Sequence, residues 1–206
     1  MSDAIILQGM IIGFAIAAPV GPIGVLCIQR SLNRGLLYGL ASGLGAASAD
    51  AVYGLIAAFG LTLISDFFVT QQTPLRLAGG IFLLYLGAKL FLKAQDDSSV
   101  SSASESLSGA YLSTFFLTLT NPMTILSFTL IFAGAGIADT GGDYRSAGLL
   151  VLGVFLGSAA WWFLLSVGSS YFQDRMDARK LRWVNRVAGL VVAGFGGVIL
   201  LGQWVS

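Results

Sequence analysis

The chain has 206 residues, 56% of them hydrophobic and only 10% charged, with a mean hydropathy of +0.84. A soluble domain carries about 25% charge, so this composition is that of an integral membrane protein. A net charge of +1 excludes a basic nucleic-acid surface; the absence of histidine removes the commonest transition-metal ligand, and a single cysteine rules out an internal disulfide or a CxxC redox pair.

The N-terminus has no basic n-region, and Asp3 is its first charge. The apolar run from Ala4 therefore reads as a membrane helix retained in the mature protein rather than as a cleaved signal peptide. About 20 apolar residues span the hydrocarbon core. On that measure six spans are expected, at Ala4–Ile28, Leu36–Ile64, Leu75–Leu92, Ala110–Ala133, Ala147–Tyr171 and Val184–Trp204.

The first span is interrupted by Ala18-Pro19-Val20-Gly21-Pro22. Each proline removes its own N–H and clashes with the carbonyl four residues back, so Pro19 should free Ala15 and Pro22 should free Ala18. Gly21 lets the chain turn sharply and lets a ligand approach the backbone. Cys27 reads as a small packing residue. Arg30 and Arg34 read as ordinary flank charges, the alternative being carboxylate capture in a vestibule, and Gln29 is a minor polar candidate.

The second span carries Asp50, the only acidic residue well inside a span. A carboxylate there costs at least about 2.5 kcal/mol unless it is paired or wet. Gly43, Ala46, Ala47, Gly54 and Ala57 lie near its face at helical spacing, whereas Val52, Leu55, Ile56, Phe59 and Leu63 form the opposite, lipid-facing side. Asp50 should thus point into the bundle. There it either holds a substrate ammonium, exchanges a proton, or serves as a structural acceptor for a broken helix. Tyr53, one turn on, is a minor candidate.

Residues 95–108 are serine-rich and acidic and read as a flexible polar linker between a first three-helix unit, 1–94, and a second, 109–206. The fourth span is interrupted at Thr120-Asn121-Pro122. Pro122 should free the Thr118 carbonyl, and Asn121 adds an amide with donors and acceptors. Freed carbonyls suit an ammonium and a half-helix N-terminus suits a carboxylate, so the two breaks together fit a zwitterion. Trp161 and Trp162 lie within the fifth span, away from the interfacial belt, where Trp162 either walls a cavity or fills space. Gln173–Arg182 carries alternating charges and reads as a solvated or interfacial connection.

The halves are related. Arg76-Leu77-Ala78-Gly79 matches Arg186-Val187-Ala188-Gly189, with Gly87 then falling on Gly197, and Gly45 through Asp50 falls on Gly157 through Trp162. Gly79–Gly87 and Gly189-Ala193-Gly197 read as helix-packing faces. Three spans per half is an odd number, so the halves enter the membrane in opposite directions. The expected fold is an all-α integral membrane protein with six transmembrane helices, an inverted 3+3 repeat with broken first and fourth helices. Arg30, Arg34, Lys89, Lys93, Arg175, Arg179, Lys180, Arg182 and Arg186 fall on one side, against Arg76 and Arg145 on the other. The first side should be cytoplasmic, with both termini outside.

Taken together, the Pro19-Val20-Gly21-Pro22 break, Gly43-Leu44-Gly45 through Asp50, the polar linker and Asn121-Pro122 resemble the LysE/RhtB amino-acid exporter family over nearly the whole chain. The family's Pro-Gly-Pro motif appears here as Val20-Gly21-Pro22, with proline one place early, and Met123 stands where the family often has lysine after Asn-Pro. The resemblance implies a secondary transporter of the inner membrane, not an enzyme, exporting amino acids or related metabolites and driven by protons, without a cofactor. Asp50, Pro19, Gly21, Pro22, Asn121, Pro122, Trp162 and Tyr53 are the candidate site residues, and a homodimer is an open alternative to a monomer. Rival readings are an inorganic cation exporter, which would want several intramembrane acids or thiols, a thiol-disulfide carrier, which needs paired cysteines, and a membrane enzyme, which needs a nucleophile–base or metal constellation.

Overall fold

The computed structural model describes residues 2–19, 21–58, 71–93, 106–121, 124, 127–128 and 144–205. Every element among them is helical: α1 (Ser2–Ala17), α2 (Pro22–Arg34), α3 (Leu36–Ala58), α4 (Gln72–Lys93), α5 (Leu107–Leu119), α6 (Tyr144–Ser170) and α7 (Ala178–Val205), with a 3-10 turn at Gln173–Arg175. Four of them, α3, α4, α6 and α7, are long and apolar enough to cross a bilayer, and the bent pair α1–α2 makes a fifth crossing if counted as one span. The apolar α5 is too short to span alone.

Local chemistry sets the ends. Gly35, with φ +92°, turns the chain between α2 and α3 in the left-handed region that glycine favours. Ser106 caps α5 by accepting the Gly109 N–H at 3.0 Å, so Leu107 and Ser108 at the end of the polar linker already belong to a helix. The charged stretch expected to be a connection instead starts α7 at Ala178. Asp177 accepts the Lys180 N–H at 2.8 Å, which holds its carboxyl below the usual carboxylate range. That capping contribution is present above the ordinary carboxylate pKa and is lost as pH falls through the lowered one. Residues 59–64 of the expected second span, and 122–123, 125–126 and 129–133 of the fourth, Pro122 and Met123 among them, lie outside the described residues.

Helix pairing follows the small residues. α1 lies along α6, α4 along α7, and α3 between α5 and α6. A Cβ on Gly157 would fall on the Met10 carbonyl, one on Gly153 on the Ile6 carbonyl, and one on Gly45 on the Tyr111 carbonyl. Backbones therefore touch directly, as membrane helices do when dispersion rather than hydrophobic exclusion drives their association. On the α4–α7 pair, Gly87 faces Gly189 and Ala193, and Gly80 faces Gly196. The packing glycine is thus Gly196 rather than Gly197, which has no described atom within 4 Å of its would-be Cβ. A face at 3.6 residues per turn runs 189, 193, 196.

Because α3 is flanked on both sides, only a narrow stripe of it, Leu37, Leu44 and Leu55, is exposed. Ile56, expected to face lipid, is buried against Tyr53, Phe128 and Val154. Cys27 is fully buried among Leu26, Ala46, Ala47 and Leu117. The large exposed residues of α1, α4 and α7, such as Leu7, Ile81, Leu190 and Leu201, suit an acyl-chain environment.

Close backbone contact gives a direct test. Gly157→Ala should cost about 1–3 kcal/mol, because α1 has to move off α6. Gly168→Ala, on the same helix but with no described atom within 4 Å, should be neutral or gain up to about 1 kcal/mol from helix propensity. Thermal unfolding in detergent micelles separates the two; equal melting temperatures for both variants would show that α1 does not seat on α6 in this way.

Candidate functional site

The axes of α1 and α2 turn by 84° across the proline-bearing break. Pro22 does not interrupt a helix here but begins one. It is the first residue of α2, where a missing N–H costs nothing, and the first helical bond runs from the Val25 N–H to the Gly21 carbonyl at 3.1 Å. Gly21 is extended, with φ −103° and ψ −163°, a conformation open to any residue. The sharp turn therefore does not need glycine there. Its would-be Cβ meets no described atom within 4 Å, so the missing side chain leaves space.

That space belongs to a cavity of about 420 Å³ between the α1–α2 break and the end of α5. Pro19, Gly21, Pro22, Ile23 and Gly24 line it from the break, Asp50 from α3, Thr118 and Asn121 from the end of α5, and Thr124 and Ser127 from just beyond. Ile16 and Ala17 from the end of α1, Trp162 from α6, and Phe195, Val198 and Ile199 from α7 complete it. The first turn of any helix leaves N–H groups without intrahelical acceptors, and here that turn of α2 lies on the cavity wall. Two further cavities flank α2, but side chains line them almost wholly with apolar surface, apart from Gln29 and Ser169.

Asp50 is buried, and the Ser158 hydroxyl donates to its Oδ2 at 2.6 Å. The Trp162 indole N–H donates in turn to Ser158 Oγ at 3.1 Å. Tyr53 does not line the cavity. Its hydroxyl donates to the Leu119 carbonyl at the end of α5, and its ring stacks on Phe128 at 5.4 Å. The expected free carbonyl of Thr118 accepts the Asn121 N–H at 3.2 Å, so the break at α5 tightens into a turn instead of leaving that group open. Pro122 lies outside the described residues.

The polar site residues that sequence reasoning missed are Ser158, Thr118, Thr124 and Ser127. Ser158 precedes Trp162 by one helical turn, so a face plot of the fifth span would have paired them. The hydroxyls beyond Pro122 gave no signal apart from their nearness to the break.

Arg30 departs most from its sequence reading. It is not a flank charge but is buried on α2, which runs past the expected end at Ile28. Its guanidinium donates to Ser42 Oγ at 2.9 Å, Thr114 Oγ1 at 2.8 Å, Ser113 Oγ at 2.8 Å and the Ala110 carbonyl at 3.2 Å. One side chain thus joins α2 to α3 and α5. On the other flank Gln29 and Asn33 both donate to Asn185 Oδ1 of α7, at 3.0 and 2.9 Å. Arg34 remains peripheral, over the Tyr38 ring. Lysine cannot reproduce a planar fork that reaches two helices at once. Arg30→Lys should therefore destabilise the protein by about 2 kcal/mol. Unchanged thermal stability in micelles would show that the fork is dispensable.

The LysE type translocator family matches residues 14–203 of the chain. A candidate amino acid efflux protein of Bacillus subtilis (strain 168), YcgF, is 30% identical over 93% of each chain. The threonine efflux protein of Escherichia coli (strain K12) is 25% identical over 85% of this chain and 87% of its own. The chemotactic transduction protein ChpE of Pseudomonas aeruginosa is 25% identical over 97% of this chain and 98% of its own. No solved structure matches the chain.

Proposed function

The chain belongs to the LysE type translocator family, and on that premise we propose that it exports an amino acid or a closely related zwitterion across the inner membrane in exchange for protons. One observation carries this reading. A single cavity brings together a carboxylate, Asp50, the N-terminal turn of a half-helix, Pro22–Gly24, and the amide and hydroxyls of Asn121, Thr118, Thr124 and Ser127. Asp50 is the counter-charge for the substrate ammonium. The first turn of α2 receives the carboxylate. Asn121 and the hydroxyls satisfy the remaining donors and acceptors. Asp50 binds ammonium or a proton by turns, which ties export to proton entry. The names of the B. subtilis and E. coli relatives favour an amino acid, with threonine as the first to test.

The inverted repeat of 1–94 and 109–206 about the linker 95–108 belongs to the same proposal. Exchanging the halves turns the α1–α6 pairing into α5–α3 and maps α3–α6 and α4–α7 onto themselves, in keeping with the observed neighbours. Gly45 and Gly157, aligned by the repeat, meet the Tyr111 and Met10 carbonyls, and aligning Pro22 with Pro122 brings Met10 to within one position of Tyr111. Both breaks then face one transport site near the bilayer midplane. With Arg30 withdrawn into the protein, the remaining lysines and arginines still favour the side bearing Arg34, Lys89 and Arg175–Arg186 as cytoplasmic. A cysteine at Ser206, in a variant lacking Cys27, should then react with an impermeant reagent from outside only; reaction from the cytoplasmic side alone would reverse the orientation.

Inverted vesicles convert export into uptake. An acidic interior should drive uptake of labelled threonine, or of another member of an amino-acid panel, into vesicles holding the parental protein. Asp50→Asn keeps the size of the side chain and removes its charge and proton. Uptake should fall at least about tenfold, which corresponds to about 1.4 kcal/mol. If the inserted Asp50→Asn protein transports at the parental rate and still responds to the gradient, Asp50 is structural and this mechanism fails.

A further inference from the structure

We propose that Ser158 and Trp162 form a one-way hydrogen-bond chain that positions Asp50 for the substrate, Gly43 supplying the room for the indole. This rests on the reading of Asp50 as the group that meets the substrate ammonium. The direction of the chain follows from chemistry. An indole N–H can only donate, so Ser158 Oγ must accept from Trp162 Nε1, at 3.1 Å. The serine has one proton, and at 2.6 Å it goes to Asp50 Oδ2. All three residues are buried, Ser158 completely. Asp50 Oδ1 has no protein donor among the described residues, and Asp50 lines the cavity. One carboxylate oxygen is thereby tied to α6 while the other is left for a ligand.

Two features make the geometry deliberate. Ser158 and Trp162 are one helical turn apart on α6, so the indole folds back over the hydroxyl. A Cβ on Gly43 would lie 2.5 Å from Trp162 Cβ, so only glycine lets α3 approach that closely. Gly43 does not line the cavity, and its effect on the site passes through Trp162. Ser158 and Trp162 are positioning residues in this scheme, although the Trp162 ring also forms part of the wall.

The test is a double-mutant cycle in inverted vesicles, read as KM and maximal rate, with threonine as the first substrate tried and the panel's fastest amino acid otherwise. Ser158→Ala should raise KM about tenfold, as expected for a lost hydrogen bond to a charged group, with the maximal rate at saturating substrate little changed. Ser158→Thr, which keeps the hydroxyl, should recover most of the loss. Trp162→Phe keeps a smaller aromatic ring and removes the donor. It should raise KM by roughly threefold in the parental protein and leave it unmoved in the Ser158→Ala background, because coupled residues fail to add. Should Ser158→Ala not insert, Ser158→Cys, a weaker donor and acceptor of nearly the same shape, takes its place: it should raise KM in the parental protein and by a smaller factor in Trp162→Phe. A parental KM in Ser158→Ala, with Asp50→Asn inactive, overturns the chain and leaves the role of Asp50 standing. Equal factors for Trp162→Phe in both backgrounds also overturn it, because the ring would then act on the substrate directly. Parental transport by Asp50→Asn removes the premise instead.

Discussion

Lipid offers no hydrogen bonds, so a chain that breaks a helix within the hydrocarbon region has to supply partners for the loosened groups from protein or from an enclosed polar space. Much of this structure answers that requirement. At the first break Pro22 starts a new helix and its missing N–H leaves one fewer donor to satisfy. At the second, the Thr118 carbonyl is closed by Asn121, and the Leu119 carbonyl is reached by the Tyr53 hydroxyl from the neighbouring helix. The groups that stay open, above all the first turn of α2, face the cavity. The polar part of the cavity wall is what remains after the rest of each break has been satisfied.

Such enclosure needs helices that approach closely. Glycine contacts between α1 and α6, α3 and α5, and α4 and α7 bring backbones together. α3 therefore sits deep in the bundle between α5 and α6, with most of it buried. A deep helix can carry a carboxylate that lipid would not tolerate. Asp50 is held by Ser158 and shielded on its flanks, and the cost of its burial is offset by that hydrogen bond and by the hydroxyl and amide groups among the lining of the cavity beside it. The same closeness explains why Gly43 matters although it touches no ligand space.

The half-helix α2 is fastened differently from the long helices. It is short, and its neighbours hold it by polar bonds: Arg30 to α3 and α5, Gln29 and Asn33 to α7. Polar bonds of this kind are directional and can be exchanged, whereas interlocked glycine faces resist sliding. The element that presents the helix N-terminus to the cavity is thus tied to both halves of the protein by groups at its opposite end.

The amino-acid sequence by itself settled the membrane class, the existence and near ends of the long helices, the break between the first two helices and the inward face of Asp50. These depend on composition and on local periodicity, which neighbouring residues along the chain decide. Tertiary structure alone decided which oxygen of Asp50 is tied and by what, since Ser158 lies on a separate helix more than a hundred residues away. It also decided that Arg30 turns inward, because the hydroxyls that receive it come from α3 and α5, and a flanking arginine looks the same in sequence whether it meets headgroups or hydroxyls. Tyr53 and Gly21 were legible as candidates but not in their roles. One reaches a carbonyl on another helix, and the other matters for the space that its absent side chain leaves, and both are properties of packing in three dimensions.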